Sequence, residues 1–124
     1  MKVLICGDRN WSDKKAIRSW IAKLQDFGYN IVVEGEARGA DSIARDEALV
    51  AGMTVERYPA QWQIYGRGAG PIRNKQMLEE GRPDLVLFFH YNLSQSKGTA
   101  HMVRIAMLAN IPVIDGYISS NIGG

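Results

Sequence analysis

Cysteine is almost absent from this chain: Cys6 stands alone among 124 residues, which excludes an intramolecular disulfide and any cysteine-only zinc site. It lies in an apolar run, where a lone thiol reads as a small buried hydrophobe. Only two histidines occur, His90 and His101, and neither has a Cys or Asp at metal-ligand spacing, so no metal site and no cofactor is expected. There is no excess of one charge. Fifteen Lys plus Arg against thirteen Asp plus Glu give +2, with both signs scattered, unlike the footprint of a dedicated nucleic-acid binder. No apolar run reaches membrane-spanning length, and Met1-Lys2 leads straight into Val3-Leu4-Ile5 with no secretory leader. A cytoplasmic protein without membrane contact is the expectation.

Several chemical signatures are missing as well. Gly7 stands alone after the first apolar run, so the Gly-x-Gly-x-x-Gly of a dinucleotide dehydrogenase is absent, as is a Walker A lysine. Ser96, His101 and Asp41 supply the residue types of a triad, yet nothing forms a nucleophile elbow.

What is present is ordinary globular composition, 46% hydrophobic and 23% charged, in a length that suits one domain. Short apolar runs alternate with amphipathic stretches. Val3–Cys6, Ile31–Val33, Met53–Tyr58, Leu85–Phe89 and Ile111–Ile114 read as strands. Helices are predicted over about 13–27, 39–50, a short stretch starting at Pro71, and 98–109, with Gly28 and Gly52 as stops. Ala60–Gly70 reads as a loop, and residues 116–124 as a weakly structured tail. Strands alternating with helices predict a single Rossmann-like α/β domain, a parallel sheet of about five strands covered on both faces.

In such a sheet, ligands bind beyond the carboxyl ends of the strands. The residues following the strands at that edge include Gly7, Arg9 and Trp11, then Gly35, Glu36, Arg38, Gly39 and Asp41. Trp62, Arg67, Arg73 and Asn74 come next, then Ser96, Lys97, Gly98 and Thr99. The opposite edge carries few arginines and no tryptophan. Glycines admit a ligand to the backbone, helix N-termini and arginines bind phosphate, and Trp or Tyr can stack on a base. Each piece alone has a plainer use. Gly35 and Gly39 suit turns, Trp11 and Trp62 suit a core edge, and Arg67 suits a solvated loop. Arg38 and Arg73 fall at predicted helix starts, where the dipole disfavours a cation unless an anion is near.

Four segments occur in order: Gly7-Asp8-Arg9-Asn10-Trp11, Gly35-Glu36-Ala37-Arg38-Gly39-Ala40-Asp41, Gly70-Pro71-Ile72-Arg73-Asn74-Lys75-Gln76-Met77 and Ser96-Lys97-Gly98-Thr99-Ala100-His101-Met102. Together, over about residues 2–114, they resemble the small SLOG-superfamily proteins of the YspA type, found in bacteria and phages. The superfamily also contains the Lonely-guy phosphoribohydrolases and the DNA-processing protein DprA. The resemblance implies a Rossmann-like fold that binds a nucleotide or an NAD-derived molecule, and a homo-oligomer paired through helices beside the cleft. Lonely-guy enzymes cleave an N-glycosidic bond with an Arg and a Glu. By position the Arg falls on Arg73, but the Glu is replaced by His101, and the family's Pro-Gly-Gly becomes Ser94-Gln95-Ser96.

That replacement matters because a carboxylate stabilises an oxocarbenium-like transition state and a histidine cation opposes it. A binding role follows first, as a sensor or sequestering protein. Certain SLOG domains recognise cyclic ADP-ribose-type signals of antiviral defence, and a phage-encoded member in the host cytoplasm would suppress such a signal. The alternatives are a hydrolase using Arg73 with Asp41 or Glu36 and, third, DprA-like single-strand DNA binding.

Overall fold

In the computed structural model, which describes residues 1–118, five parallel strands form one sheet in the order β3-β2-β1-β4-β5. They are β1 (Lys2–Gly7), β2 (Ile31–Glu34), β3 (Thr54–Arg57), β4 (Leu85–Phe89) and β5 (Val113–Asp115). The helices are α1 (Lys14–Asp26), α2 (Ala40–Val50), α3 (Trp62–Tyr65), α4 (Ala69–Glu79) and α5 (Gly98–Leu108).

β1 explains the layering. Its continuous apolar run alternates sides, as any strand does. Val3 and Ile5 pack with Ile17, Ile21 and Leu24 of α1 and Ile43, Ala44 and Ala48 of α2. Leu4 and Cys6 point the other way, onto Met77 of α4 and Met102 and Ala106 of α5. Every residue of β4 is buried, which is what a central parallel strand covered on both faces requires.

Local chemistry sets the helix ends. The Asp13 carboxylate accepts the Ala16 N–H at 3.1 Å and caps α1. At its other end Gly28, with φ 92°, turns the chain toward β2.

The chain builds outward from β1 to β2 and β3, then returns through α3 and α4 to place β4 on the other side of β1, where Cys6 pairs Phe88 and Gly7 pairs Phe89. The strand order therefore reverses between β1 and β4, and a crevice opens beyond their carboxyl ends.

Two stretches differ from the sequence reading. Ala60–Gly70 is not a loop: it holds α3, a 3-10 turn over Gly66–Gly68, and the start of α4. Gly66, at φ 56°, ends α3 and opens that turn. A four-residue helix is too short to show a 3.6-residue period, so its glycines dominate the pattern. Pro71 becomes the third residue of α4, still in the first turn, where no intrahelical N–H bond is lost. β5 is shifted two residues on from Ile111, since Pro112 has no N–H to give the ladder.

Of the tail expected to be weakly structured, Gly116–Ile118 fall within the described residues and take helical geometry, the Asp115 carboxylate accepting from Tyr117 N and Ile118 N at 3.0 and 3.1 Å. Residues 119–124 lie outside the described residues.

Candidate functional site

The crevice at the β1/β4 switch is a cleft of about 340 Å³, within the range of small-molecule sites. Its walls bring together Gly7 and Arg9 after β1, Asp41 of α2, Arg73 and Asn74 of α4, and Ser96, Lys97, Gly98 and Thr99 where α5 begins. Nine residues singled out in the sequence thus meet around one space. Gly35, Glu36 and Arg38 stand beside it, on an adjoining wall that also includes Arg9 and Arg73.

Arg73 organises the centre. It is the fifth residue of α4 rather than part of its first turn, because the helix starts two residues before Pro71. One guanidinium nitrogen donates to the Gly35 carbonyl, and Nε donates to Asn74 Oδ1 at 3.1 Å. Any side chain at position 35 would collide with that guanidinium, so glycine is required there for the arginine to lie against the β2 end. Asn74, 5% exposed, gives its amide hydrogens to the Gly98 carbonyl and to His101 Nδ1, both at 3.1 Å. A hydrogen-bonded chain therefore runs from α5 through Asn74 and Arg73 to the loop after β2.

His101 acts in that chain as an acceptor, which requires the neutral ring with its proton on Nε2. Burial, and then the charge of Arg104, hold its pKa below the usual imidazole value. The Ser96 hydroxyl accepts the Thr99 N–H at 2.9 Å and caps the first turn of α5. Lys97 precedes that turn and is exposed.

The two carboxylates considered for catalysis are otherwise engaged. Asp41 is 4% exposed, and its Oδ2 accepts Gly35 N at 3.1 Å and Ala37 N at 3.3 Å. It closes the β2–α2 loop on itself. Burial raises its pKa to about 6, against the opposing pull of Arg73 and those two N–H groups. Glu36 meets Arg45 at 3.3 Å and Arg57 at 3.6 Å.

Trp11 does not line the cleft. It is 3% exposed, stacks on Tyr91 at 4.5 Å, and meets Phe89 and Tyr117 at 5.4 and 5.5 Å. Its indole N–H donates to the Asp13 carbonyl at 3.0 Å. The aromatic after β1 is a core residue, because the loop folds back under α1. Tyr91→Ala is therefore expected to lower stability by roughly 1 kcal/mol through lost stacking while leaving ligand affinity unchanged. A thermal melt beside a binding titration checks both halves.

Gly39 also lies outside the cleft walls. At φ 75° it packs against the Asp8 carbonyl, where a Cβ would collide, and the next residue, Ala40, donates its N–H to the same carbonyl at 3.1 Å. Its role is to dock the start of α2 on the loop after β1.

Two groups were not among the expected site residues. His90 lines the cleft with Nε2 3.8 Å from Asp8 Oδ2, while its Nδ1 accepts Asn92 N at 3.0 Å. Its one hydrogen bond lies within the loop after β4, and Nε2 faces the loop after β1. Glu34 ends β2 fully buried. Burial and a hydrogen bond to the Glu36 carboxylate raise its pKa to about 8, whereas Glu36, accepting that hydrogen bond and facing Arg45 and Arg57, is held below its usual value. Its one signal was an acid closing an otherwise apolar strand. Cys6, on the cleft floor, is also pushed up by burial and stays a thiol.

Among the described residues, no group of three or more His, Cys, Asp or Glu could hold a metal ion, and no helix is long and apolar enough to cross a membrane.

Comparison with known proteins agrees with this fold. The chain is 39% identical over 123 residues to the Gene 61 protein of Mycobacterium phage D29, covering 92% of this chain and 94% of that one. Its fold is similar to the X-ray structure of DNA processing protein A (DprA) from Streptococcus pneumoniae, with a TM-score of 0.69 and 19% identity over 93% of this chain. This chain spans about half of that longer one, 52% of its length. Residues 1–65 match the family described as YspA, cpYpsA-related SLOG. On the strength of that match and of the phage relative, the chain belongs to the YspA, cpYpsA-related SLOG family.

Proposed function

We propose that this chain binds a phosphorylated nucleotide or NAD-derived small molecule, cyclic ADP-ribose-type signals included, and holds it without turnover as a sensor or sequestering protein. One observation carries the reading: Arg9, Arg73 and Lys97 converge with the first turn of α5 on a single cleft at the switch in strand order. Guanidinium groups supply charge-assisted bonds to phosphate, and the N–H groups of a helix start add to them.

The state of the carboxylates supports binding over hydrolysis. Cleavage of an N-glycosidic bond needs an available carboxylate near the sugar. Asp41 is consumed by two backbone N–H groups, Glu36 by two arginines, and His101 turns Nδ1 to Asn74. Each of the three is held by the protein's own groups, which weighs against a role as base or nucleophile.

The test is incubation of the protein with AMP, CMP, NAD, ADP-ribose and cyclic ADP-ribose isomers, followed by chromatography with mass detection of bound and free fractions. A ligand recovered intact is the expected result. Release of free base and ribose phosphate would overturn it in favour of a hydrolase. A single-stranded oligonucleotide added to the same panel is expected to compete weakly. Tight displacement that fades steeply with salt would mark a DNA-binding surface instead.

A further inference from the structure

Beside the cleft lies a second lobe of about 490 Å³. Arg9, Ala37 and Arg73 belong to both walls, so the two spaces adjoin along those residues. Arg38, Pro59 and Trp62 line the second lobe alone. Trp62 opens α3 and remains 49% exposed. The edge of its ring lies over Gly70, where even a Cβ would stand 3.5 Å away, so the first turn of α4 supports the indole.

A single half-exposed tryptophan needs no special reason. The charge around this one does. The lobe holds three arginines, Arg9, Arg38 and Arg73, and one carboxylate, Glu36, which is committed to Arg45 and Arg57 from outside the lobe and accepts the Glu34 hydrogen bond. Among the described residues, no carboxylate lies within ion-pair distance of Arg9 or Arg38. The lobe therefore presents an indole face beside uncompensated positive charge. That pairing suits a flat heteroaromatic ring attached to phosphate.

We infer that the second lobe is a distinct subsite in which such a ring stacks on Trp62 while the attached phosphates lie over Arg9 and Arg73. The ligand is then a two-part nucleoside diphosphate derivative, with one moiety in each lobe, rather than a nucleoside monophosphate. The inference rests on the nucleotide-binding reading above and extends it. A nucleoside monophosphate fills one lobe only, whereas a diphosphate derivative lays its phosphates over the shared Arg9 and Arg73 and reaches both.

The experiment is calorimetric titration of AMP and of ADP-ribose into the wild type, Trp62→Ala, Trp62→Phe and Arg38→Ala, each checked for folding by circular dichroism. The wild type is expected to bind ADP-ribose roughly tenfold or more tighter than AMP, because only the diphosphate derivative reaches both lobes. Trp62→Ala should weaken both ligands about tenfold, since each carries the adenine ring, and Trp62→Phe should restore most of the loss. Arg38 is exposed, so Arg38→Ala folds irrespective of Trp62 and should weaken both ligands as well. ADP-ribose should also quench indole emission in the wild type but not in Trp62→Phe, a readout that does not depend on the alanine variant folding. No change in either ligand with Trp62→Ala refutes the ring subsite while nucleotide binding stands, and equal wild-type affinities for AMP and ADP-ribose refute the two-part ligand. If neither ligand binds the wild type, the nucleotide-binding reading fails and the subsite falls with it.

Discussion

Arg73→Ala is expected to weaken nucleotide binding by about a hundredfold while the protein stays folded. The guanidinium touches both lobes of the site and is fixed from behind by the Gly35 carbonyl and Asn74 Oδ1. A ligand phosphate thus meets a charge already oriented, and little side-chain freedom remains to be lost on binding. Arg73→Lys should recover little. An ammonium can replace the charge but not the planar fork that reaches Gly35, Asn74 and ligand together. Titration with the best ligand of the panel, beside a thermal melt, separates lost binding from lost folding. An affinity unchanged in Arg73→Ala would remove the cleft from consideration as the site.

Glu34→Gln should stabilise the protein, and increasingly so at higher pH. The folded state holds the Glu34 proton up to about pH 8, whereas an unfolded chain releases it near the ordinary glutamate value of about 4.3. Between those two values the unfolded state binds fewer protons, so stability falls as pH rises through that window and levels off above it. Glutamine has nothing to lose. It can keep both contacts of the protonated acid, accepting the Glu36 N–H now held at 2.7 Å and donating toward the Glu36 carboxylate. The two proteins should match near pH 4.5 and differ by about 2 kcal/mol at pH 8, less than the full shift implies because Glu36 reaches solvent and screens the pair. For a domain of this size that is a rise of roughly 8 °C in Tm. Parallel melts from pH 4.5 to 8.5 test it, and a constant offset across the range would show that Glu34 is ionised in the folded state.

The neighbouring Glu36 adds its own tension. Its φ of 59° lies in the left-handed region that favours glycine. The contacts with Glu34, Arg45 and Arg57 hold a side chain there, where a glycine would meet no such penalty.

The parts of this fold legible in the sequence are those fixed by local chemistry. Leu85–Phe89 reads as the central strand because five consecutive apolar residues leave no solvent face. Asp13 and Gly28 mark the ends of α1 by capping and by a positive φ. The edge that gathers arginine and glycine is legible too, since strand direction alone decides which loops lie together. What stayed hidden depends on distant neighbours. Trp11 after a strand looks the same whether it faces a ligand or Tyr91. Glu34 looks like a surface acid until Glu36, Arg45 and the sheet close around it. The α3 segment lacked enough residues to show a period at all.

The two edge strands limit how copies of this chain can meet. β3 offers four residues ending in Glu56 and Arg57, and β5 offers three before the chain turns helical at Gly116. Short, charged or abruptly ended borders are poor templates for adding a strand from another molecule. Sheet extension, and the fibrous aggregation that follows from it, is thereby discouraged at both ends. These borders disfavour strand pairing next to the mouth of the cleft.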